Sequence, residues 1–120
     1  MVDDEAAIVE IILAMLAECG YETRAAYDGA VAVEVAKSFL PDCVVTGIIM
    51  PRMDGIAEAR EILKFHPDCK IIFHSSALTD ENLRREIEDS GLAQAMMLKP
   101  FTRRAIRSAL EAVGFPCQAG

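Results

Sequence analysis

Two apolar patterns alternate along this chain of 120 residues. In one, apolar residues recur at the spacing of an amphipathic helix, and in the other, short β-branched runs are bounded by turn residues, as in strands. Helices are predicted over residues 5–19 and 55–66, between Asp28-Gly29 and Pro41, and after the capping residues Thr79, Asp80 and Thr102. Strands are predicted over residues 21–26, 43–46, 70–74 and 95–98.

Each predicted helix carries its apolar residues on one face, and Gly20 and Pro41 end the first two helices. The apolar positions are Ile8, Ile11, Ile12, Met15, Leu16 and Cys19 in the first helix, Val31, Val35 and Phe39 in the second, Ile56, Ala59 and Leu63 in the third, Leu83 and Ile87 in the fourth, and Ile106, Ala109, Leu110 and Val113 in the last. The fourth helix is crowded with charged residues on its other face, which we interpret as a solvated surface.

Strands that alternate with helices predict an α/β domain with a parallel sheet covered by helices on both faces. The nearly uninterrupted apolar run at residues 43–46 is typical of a parallel strand buried on both sides. Ligands of such domains bind at the carboxyl ends of the strands. We expect one domain over residues 1–113, followed by a flexible tail over residues 114–120.

The composition and charge of the chain argue against several classes of function. The chain is 52% hydrophobic, enough for one core, and its net charge of −7 argues against direct binding to nucleic acid or to anionic membranes. Apolar runs such as residues 11–16 are too short to span a bilayer. Acidic residues occupy positions 3–5, where a signal peptide would be basic, so we expect a cytoplasmic protein.

The four cysteines are scattered, without a spacing that would hold zinc. Reduced, buried thiols are the favoured interpretation, although the fold could bring two of them together. His66 and His74 are isolated in the sequence and are interpreted as core or surface residues.

Three groups of residues carry a family resemblance. They are the acidic cluster Asp3-Asp4-Glu5, the segment from Asp42 to Gly55 with its strand, Met50-Pro51 loop and Met53-Asp54-Gly55 helix start, and Lys99-Pro100-Phe101. Together they resemble the receiver domain of two-component response regulators. The resemblance implies a three-layer, flavodoxin-like (βα)5 fold with a five-stranded parallel sheet of order 2-1-3-4-5, and a role in phosphorelay signal transduction.

The resemblance also implies a site. Asp3 and Asp4 match the acidic pair of the family, Ser75 its hydroxyl and Lys99 its lysine. Counting back four residues from Pro51, where the family has its phosphoacceptor aspartate, leads to Gly47. The acceptor is therefore absent, and with it a nucleophile and a metal ligand.

Other features of this site stay open at the level of sequence. Asp3 and Asp4 could retain weak affinity for Mg²⁺, or could simply favour the helix N-terminus through its dipole. Lys99 is expected to form an ion pair with one of these acids. Ser76 competes with Ser75 for the hydroxyl position, and either serine could instead cap the next helix.

An interaction face is predicted beside the last helix. It comprises Met96 and the basic residues Arg103, Arg104 and Arg107. Met96 loosely matches the position at which the family carries an aromatic switch residue. In the family this region often contacts partners, so a histidine kinase, an output domain or a second copy of the chain is expected there. Solvated arginines are the alternative.

Three functional hypotheses follow. The first is a degenerate receiver that works through protein contacts, and the second is a phosphorylatable receiver whose acceptor has been replaced by mutation. The third, an α/β enzyme, is disfavoured. Adjacent Asp3 and Asp4 lack the two-residue spacing of an aspartyl phosphatase, acidic residues would repel a flavin phosphate there, and no hydrolase triad is visible.

The first strand is expected to be truncated, because Met1 and Val2 alone precede Asp3. That strand belongs inside the sheet, so its loss would expose backbone groups of both neighbours. We expect a stunted strand, with partial stability or a dimer that covers the gap.

Overall fold

From residue 29 onward, helices and strands alternate along the chain as the sequence predicts. The computed structural model describes residues 1–48, 50, 53–74, 81–92, 95–97 and 102–116, except for the side chains of residues 83, 84 and 95–97. The helices are α1 (Ala6–Glu18), α2 (Gly29–Phe39), α3 (Gly55–Phe65), α4 (Glu81–Ser90) and α5 (Arg103–Ala112). The strands are β1 (Cys43–Gly47), β2 (Lys70–His74) and β3 (Ala95–Met97).

The three strands form a parallel sheet of order β1-β2-β3. Paired positions run from Cys43 with Lys70 to Gly47 with His74, and from Ile72 with Ala95 to His74 with Met97. Gly47 and His74 therefore end neighbouring strands at the same edge of the sheet.

On the other side of β1, Val2 forms isolated parallel bridges to Thr46 and Ala26. The order across the sheet is thus Ala26, Val2, β1, β2 and β3. If the segments at Val2 and Ala26 are counted as the first and second strands, and β1, β2 and β3 as the third to fifth, this is the predicted order 2-1-3-4-5. The first strand is truncated as expected.

The predicted strand at residues 21–26 is wrong apart from its last residue, since only Ala26 bridges to a neighbour. Within the described part of the chain no strand lies beside residues 21–25, so they have no ladder to join. A groove of about 290 Å³ lies there, with Met1, Arg24, Phe39 and Cys43 among the residues that line it. A dimer that covers this groove stays a prediction.

Two apolar clusters cover the two faces of the sheet. Side chains of α2, α3 and α4 pack on the face of Val44, Ile71 and Phe73. Side chains of α1 and α5 pack on the face of Val45 and Ile72. Alternate residues of β1 and β2 thus enter opposite clusters, which gives the predicted three-layer architecture.

Local signals fix most helix ends as predicted. The side chains of Asp28, Asp54 and Thr102 accept from the backbone N–H groups of Val31, Ala57 and Ala105 over 2.9, 2.8 and 3.0 Å. Gly20 follows α1 with a φ of +87°, a conformation that favours glycine. Thr79 and Asp80, the predicted caps of α4, lie outside the described residues.

Helix faces are predicted less accurately. Ile106, Ala109, Leu110 and Val113 are buried as expected, and so is Ile87. In α2, however, Ala32, Val33 and Ala36 are buried while Val31 is 41% exposed. In α3, Glu58 and Ile62 are fully buried whereas Leu63 is only half-buried at the edge of its cluster.

The first residues of the predicted tail contact the domain. The backbone N–H of Phe115 donates to Leu110 O over 2.8 Å, and the Tyr21 hydroxyl donates to Phe115 O. Phe115 also packs against the α1/α5 cluster. Residues 117–120 lie outside the described residues, and their flexibility stays a prediction.

Candidate functional site

Gly47 lies at the carboxyl end of β1 and next to Asp3. Its backbone N–H donates to Val2 O over 2.9 Å, which holds the end of β1 against the start of the chain. A Cβ atom placed on Gly47 would lie 3.5 Å from Asp3 Oδ2 and 3.5 Å from Met50 Sδ, both ordinary contacts. A side chain at position 47 would therefore start beside the Asp3 carboxylate without displacing its neighbours.

Asp3 is buried, with 1% of its surface exposed, because Val2 pairs on both sides and places it inside the sheet edge. Its Oδ1 accepts a hydrogen bond of 2.8 Å from Glu5 N, immediately before α1. Asp4 and Glu5 are exposed. The structure therefore separates two acids that are adjacent in the sequence into one buried and one solvated group.

The acidic cluster has the donor set of a hard-cation site. Carboxylate oxygens of Asp3, Asp4 and Glu5 all lie within 4.8 Å of one another. Oxygen donors of this kind suit Mg²⁺, which accepts one or two protein carboxylates and keeps several of its waters. The residues present therefore fit a hydrated divalent cation, and Glu5, which was not among the predicted metal ligands, supplies a third carboxylate.

His74 is a site residue that sequence reasoning missed. It ends β2, is fully buried, and its Nε2 lies 3.6 Å from Asp3 Oδ2. The sequence interpretation as a core histidine at a strand end is confirmed, but its proximity to Asp3 was not foreseen. The pairing of Gly47 with His74 across the sheet is the signal that would have placed His74 beside this site.

The start of α3 packs tightly against the end of β1. Gly55 N donates to Ile48 O over 2.7 Å, and a Cβ atom on Gly55 would lie 1.9 Å from Gly47 O. No side chain fits in that space without a backbone shift. Glycine at position 55 is therefore required for this helix to begin where it does.

A buried polar pair lies beneath the same edge. The hydroxyl of Thr46 lies 2.8 Å from Glu58 Oε2 and 2.9 Å from Gly47 O, and both side chains are fully buried. Burial raises the pKa of Glu58 to about 8, against the lowering effect of the Thr46 hydrogen bond. The sequence holds a signal for this pair, because Glu58 falls at helical spacing between the buried residues Gly55 and Ile62.

For the other predicted site residues of the pocket and of β3, the structure describes at most the backbone. Ser75, Ser76 and Lys99 are not among the described residues, so their roles stay predictions. Met96 lies in β3 opposite Phe73, but its side chain is not described.

The predicted basic residues are exposed on α5. Arg103 forms an ion pair with Glu18 at the end of α1, and this contact lowers the pKa of the Glu18 carboxyl. Arg104 and Arg107 are exposed and line a shallow surface depression together with Ser108. Arg103 therefore links α1 to α5.

The cysteines only partly follow expectation. Cys43 and Cys69 are free thiols, and burial raises their pKa values to about 12 and about 11. Cys19, in contrast, is disulfide-bonded, so the expectation of reduced thiols is wrong for this residue. The fold brings its thiol close to another, which the sequence spacing alone could not show.

The fold and the site define a class of protein: a flavodoxin-like α/β domain with a buried acid and the end of a central strand side by side at the carboxyl edge of a parallel sheet. Among the described residues, none of the helices has the length and apolar character needed to cross a bilayer.

The chain belongs to the response regulator receiver domain family, whose sequence profile matches residues 1–111. It is therefore a receiver domain of the kind found in two-component systems. This confirms the resemblance that the acidic cluster, the β1 segment and the Lys99 segment indicated.

Relatives and solved structures agree with this assignment. The chain is 35% identical over 114 residues to the chemotaxis protein CheY of Thermotoga maritima, covering 94% of this chain and 93% of CheY. It is 31% identical over 115 residues to the alkaline phosphatase synthesis transcriptional regulatory protein PhoP of Bacillus subtilis, covering 94% of this chain but 46% of PhoP. The chain thus spans nearly all of one relative and about half of the other.

Among solved structures, the chain is similar to the receiver domain of a sensor histidine kinase from Pseudomonas aeruginosa PAO1. The identity is 26%, the TM-score is 0.81, and the match covers 94% of this chain and 93% of that domain. That structure has a magnesium ion coordinated in its active site cleft.

Proposed function

We propose that this domain is a degenerate receiver of a two-component phosphorelay. It acts in the cytoplasm as a signalling module, not as an enzyme, and it works through protein contacts without taking up a phosphoryl group at residue 47. The observation that carries this proposal is the position of Gly47, which ends β1 beside the buried carboxylate of Asp3. A glycine there offers no nucleophilic oxygen.

The neighbouring acids are poor substitutes for the acceptor. Asp3 is buried, and one of its oxygens already accepts from Glu5 N. Its other oxygen lies beside His74. Asp4 is exposed and precedes α1, outside the end of β1. Neither arrangement presents a carboxylate in place of the side chain that Gly47 lacks.

Magnesium binding at this site is proposed to be weak. Asp3 and Asp4, with Glu5 beside them, would hold a hydrated Mg²⁺ through carboxylate oxygens. In a receiver with an acceptor, the ion neutralises charge on the transferring phosphoryl group. Here Gly47 contributes no carboxylate, so one strong ligand fewer is available. Ser75 and Lys99 remain the proposed hydroxyl and lysine of the same pocket.

The proposed interaction face comprises Met96 in β3 and Arg103, Arg104 and Arg107 on α5. Its three arginines are concentrated on one helix of a chain with a net charge of −7, so this face favours an acidic partner surface. We propose a histidine kinase, an output domain or a second copy of the chain as the partner.

One alternative is kept, because a Cβ at residue 47 meets only ordinary contacts. In this alternative the domain is a phosphorylatable receiver whose acceptor aspartate has been replaced by mutation. The β1 end would then accept the Cβ of an aspartate at ordinary contact distances from Asp3 and Met50.

Phosphorylation with acetyl phosphate and Mg²⁺, followed by mass spectrometry, tests both readings. We expect no phosphoryl group on the wild-type chain, and stoichiometric labelling of Asp3 or Asp4 would overturn the proposal. The variant Gly47→Asp is compared with Gly47→Asn, which has the same shape but no acceptor carboxylate. Labelling of the Asp variant alone supports the alternative, and failure to label it removes that alternative.

Titration calorimetry with Mg²⁺, with and without beryllofluoride, completes the test. The wild type should bind Mg²⁺ weakly and show no further heat from beryllofluoride. A tight beryllofluoride complex of the wild type would contradict the absence of an acceptor.

A further inference from the structure

Glu58 is a buried carboxyl group that the proposed function does not use. It lies on the inward face of α3 with no exposed surface. Its Oε2 is 2.8 Å from the Thr46 hydroxyl, and its Oε1 is buried without a hydrogen-bond partner in the described part of the chain. An ionised carboxylate in this position would leave one charged oxygen unsolvated, which is costly.

The hydrogen count at Thr46 points to a protonated Glu58. The Thr46 oxygen lies within hydrogen-bond distance of two oxygens, Glu58 Oε2 and Gly47 O. A hydroxyl has one hydrogen and can donate it to only one of them. If Glu58 were ionised, one of the two short contacts would have no hydrogen. A proton on Glu58 Oε2 supplies the missing one.

We propose that Glu58, Thr46 and Gly47 form a proton-dependent relay that fixes the position of the β1 end against α3. While Glu58 is protonated, its carboxyl group donates to the Thr46 oxygen, and the Thr46 hydroxyl donates to the carbonyl oxygen of Gly47. When the proton leaves Glu58, the Thr46 hydroxyl turns to the new carboxylate, and Gly47 O loses this donor. The transferred proton goes to solvent, so no other reactant is needed.

The relay ends at a tightly packed point of the molecule. Gly47 O is the atom that approaches the start of α3 so closely that residue 55 must be glycine. A change in the hydrogen bonding of this carbonyl therefore acts directly on the contact between β1 and α3. This inference concerns the conformation of the β1 end and stands whether or not residue 47 can accept a phosphoryl group.

Charged and titratable groups on several parts of the fold influence the pKa of Glu58. The amino group of Met1 favours the ionised form, whereas Asp54 at the start of α3 and Asp28 at the start of α2 oppose it. The Cys69 thiol before β2 also interacts with Glu58. Burial is the largest influence, and together these effects raise the pKa of Glu58 to about 8, near neutral pH.

NMR of the full chain, ¹³C-labelled at glutamate side-chain carboxyl and glycine carbonyl carbons, tests the relay. We expect the Glu58 carboxyl carbon to titrate near pH 8 and the Gly47 carbonyl carbon to shift with the same midpoint. In Glu58→Gln, whose amide keeps the shape and a donor, the Gly47 shift should be absent. Titration of Glu58 at the pKa of a solvated carboxyl would overturn the proposal.

Two variants of Thr46 test whether its hydroxyl group couples the ionisation of Glu58 to the Gly47 carbonyl. Thr46→Ser keeps the hydroxyl and should preserve the common midpoint. Thr46→Val keeps the shape but removes the hydroxyl, so the Gly47 shift should no longer follow Glu58. A Gly47 carbonyl that still follows the Glu58 midpoint in Thr46→Val would show that the hydroxyl does not carry the coupling.

Discussion

Nε2 of His74 lies 3.6 Å from Oδ2 of Asp3, and both side chains are buried. The pair connects the end of β2 to Asp3, three residues before α1, across the end of β1. Since Oδ1 of Asp3 also accepts from Glu5 N, both oxygens of this carboxylate have protein neighbours. Asp3 and Asp4 should therefore respond differently to substitution although they are adjacent.

Replacement of Asp3 by Ala should lower the free energy of unfolding by about 1–3 kcal/mol, because a backbone donor loses its acceptor and a buried space is left. The matched change Asp4→Ala removes an exposed carboxyl and should stay within about 0.5 kcal/mol of wild type. Urea unfolding at neutral pH measures both. Equal losses for the two variants would contradict the difference in burial.

Two glycines near the β1 end should also differ. Gly55→Ala brings a Cβ to 1.9 Å from Gly47 O, so a backbone shift is required, and we expect a loss of about 1–3 kcal/mol. Gly47→Ala places its Cβ at ordinary contact distances and restricts the unfolded chain, so its stability should stay within about 1 kcal/mol of wild type. Thermal unfolding distinguishes them. A tolerated Gly55→Ala would show that the β1/α3 contact is looser than described.

The raised pKa of Glu58, about 8 instead of the ordinary 4.5, makes stability depend on pH. Between these values the folded chain holds a proton that the unfolded chain has lost. Stability therefore falls as pH rises through this window, by about 1.4 kcal/mol for each pH unit, and the contribution of the protonated group is fully present only below the unfolded pKa.

The variant Glu58→Gln isolates this effect from other titrating groups. Denaturant unfolding of both proteins at about pH 5.5 and about pH 7.5 should show the Gln variant gaining on wild type as pH rises. Parallel pH profiles for the two proteins would mean that Glu58 is ionised throughout the window.

The free thiols should be unreactive in the folded domain. Burial raises the pKa values of Cys43 and Cys69 to about 12 and about 11, so little thiolate is present near neutral pH. Alkylation followed by mass spectrometry should leave both residues unmodified in the native chain and modify both in urea. Rapid alkylation of Cys69 without denaturant would contradict its burial.

The spacing of apolar residues was sufficient to predict the elements that bury a continuous apolar stripe. The inward face of α5 and the span of β2 follow directly from the spacing of their apolar residues. It failed for α2, where Ala32, Val33 and Ala36 are buried and Val31 is exposed. Size complementarity between helix and sheet is a tertiary property that a pattern along one helix does not contain.

The candidate site was predictable in part. The family resemblance placed Asp3 and Gly47 in one site, and the general rule that parallel strands bring their carboxyl ends to one edge is consistent with that placement. Strand end and helical spacing place His74 and Glu58 near this edge, but their individual contacts could not be inferred, because these depend on register across the sheet and on which helix positions face it. The failed strand at residues 21–26 shows a related limit, since strand propensity needs a neighbour to pair with.

The bridges of Val2 have a consequence for local opening. Five hydrogen bonds between backbone groups join residues 1–3 to their two neighbours: Val2 N to Val45 O, Gly47 N to Val2 O, Asp3 N to Ala26 O, Ala26 N to Met1 O, and the Met1 amino group to Arg24 O. Among these bonds, the one to Arg24 O is the single contact of residues 21–25, so this segment can open without disturbing the ladders of β1, β2 and β3. Their amide hydrogens should exchange with solvent long before those of the central strand.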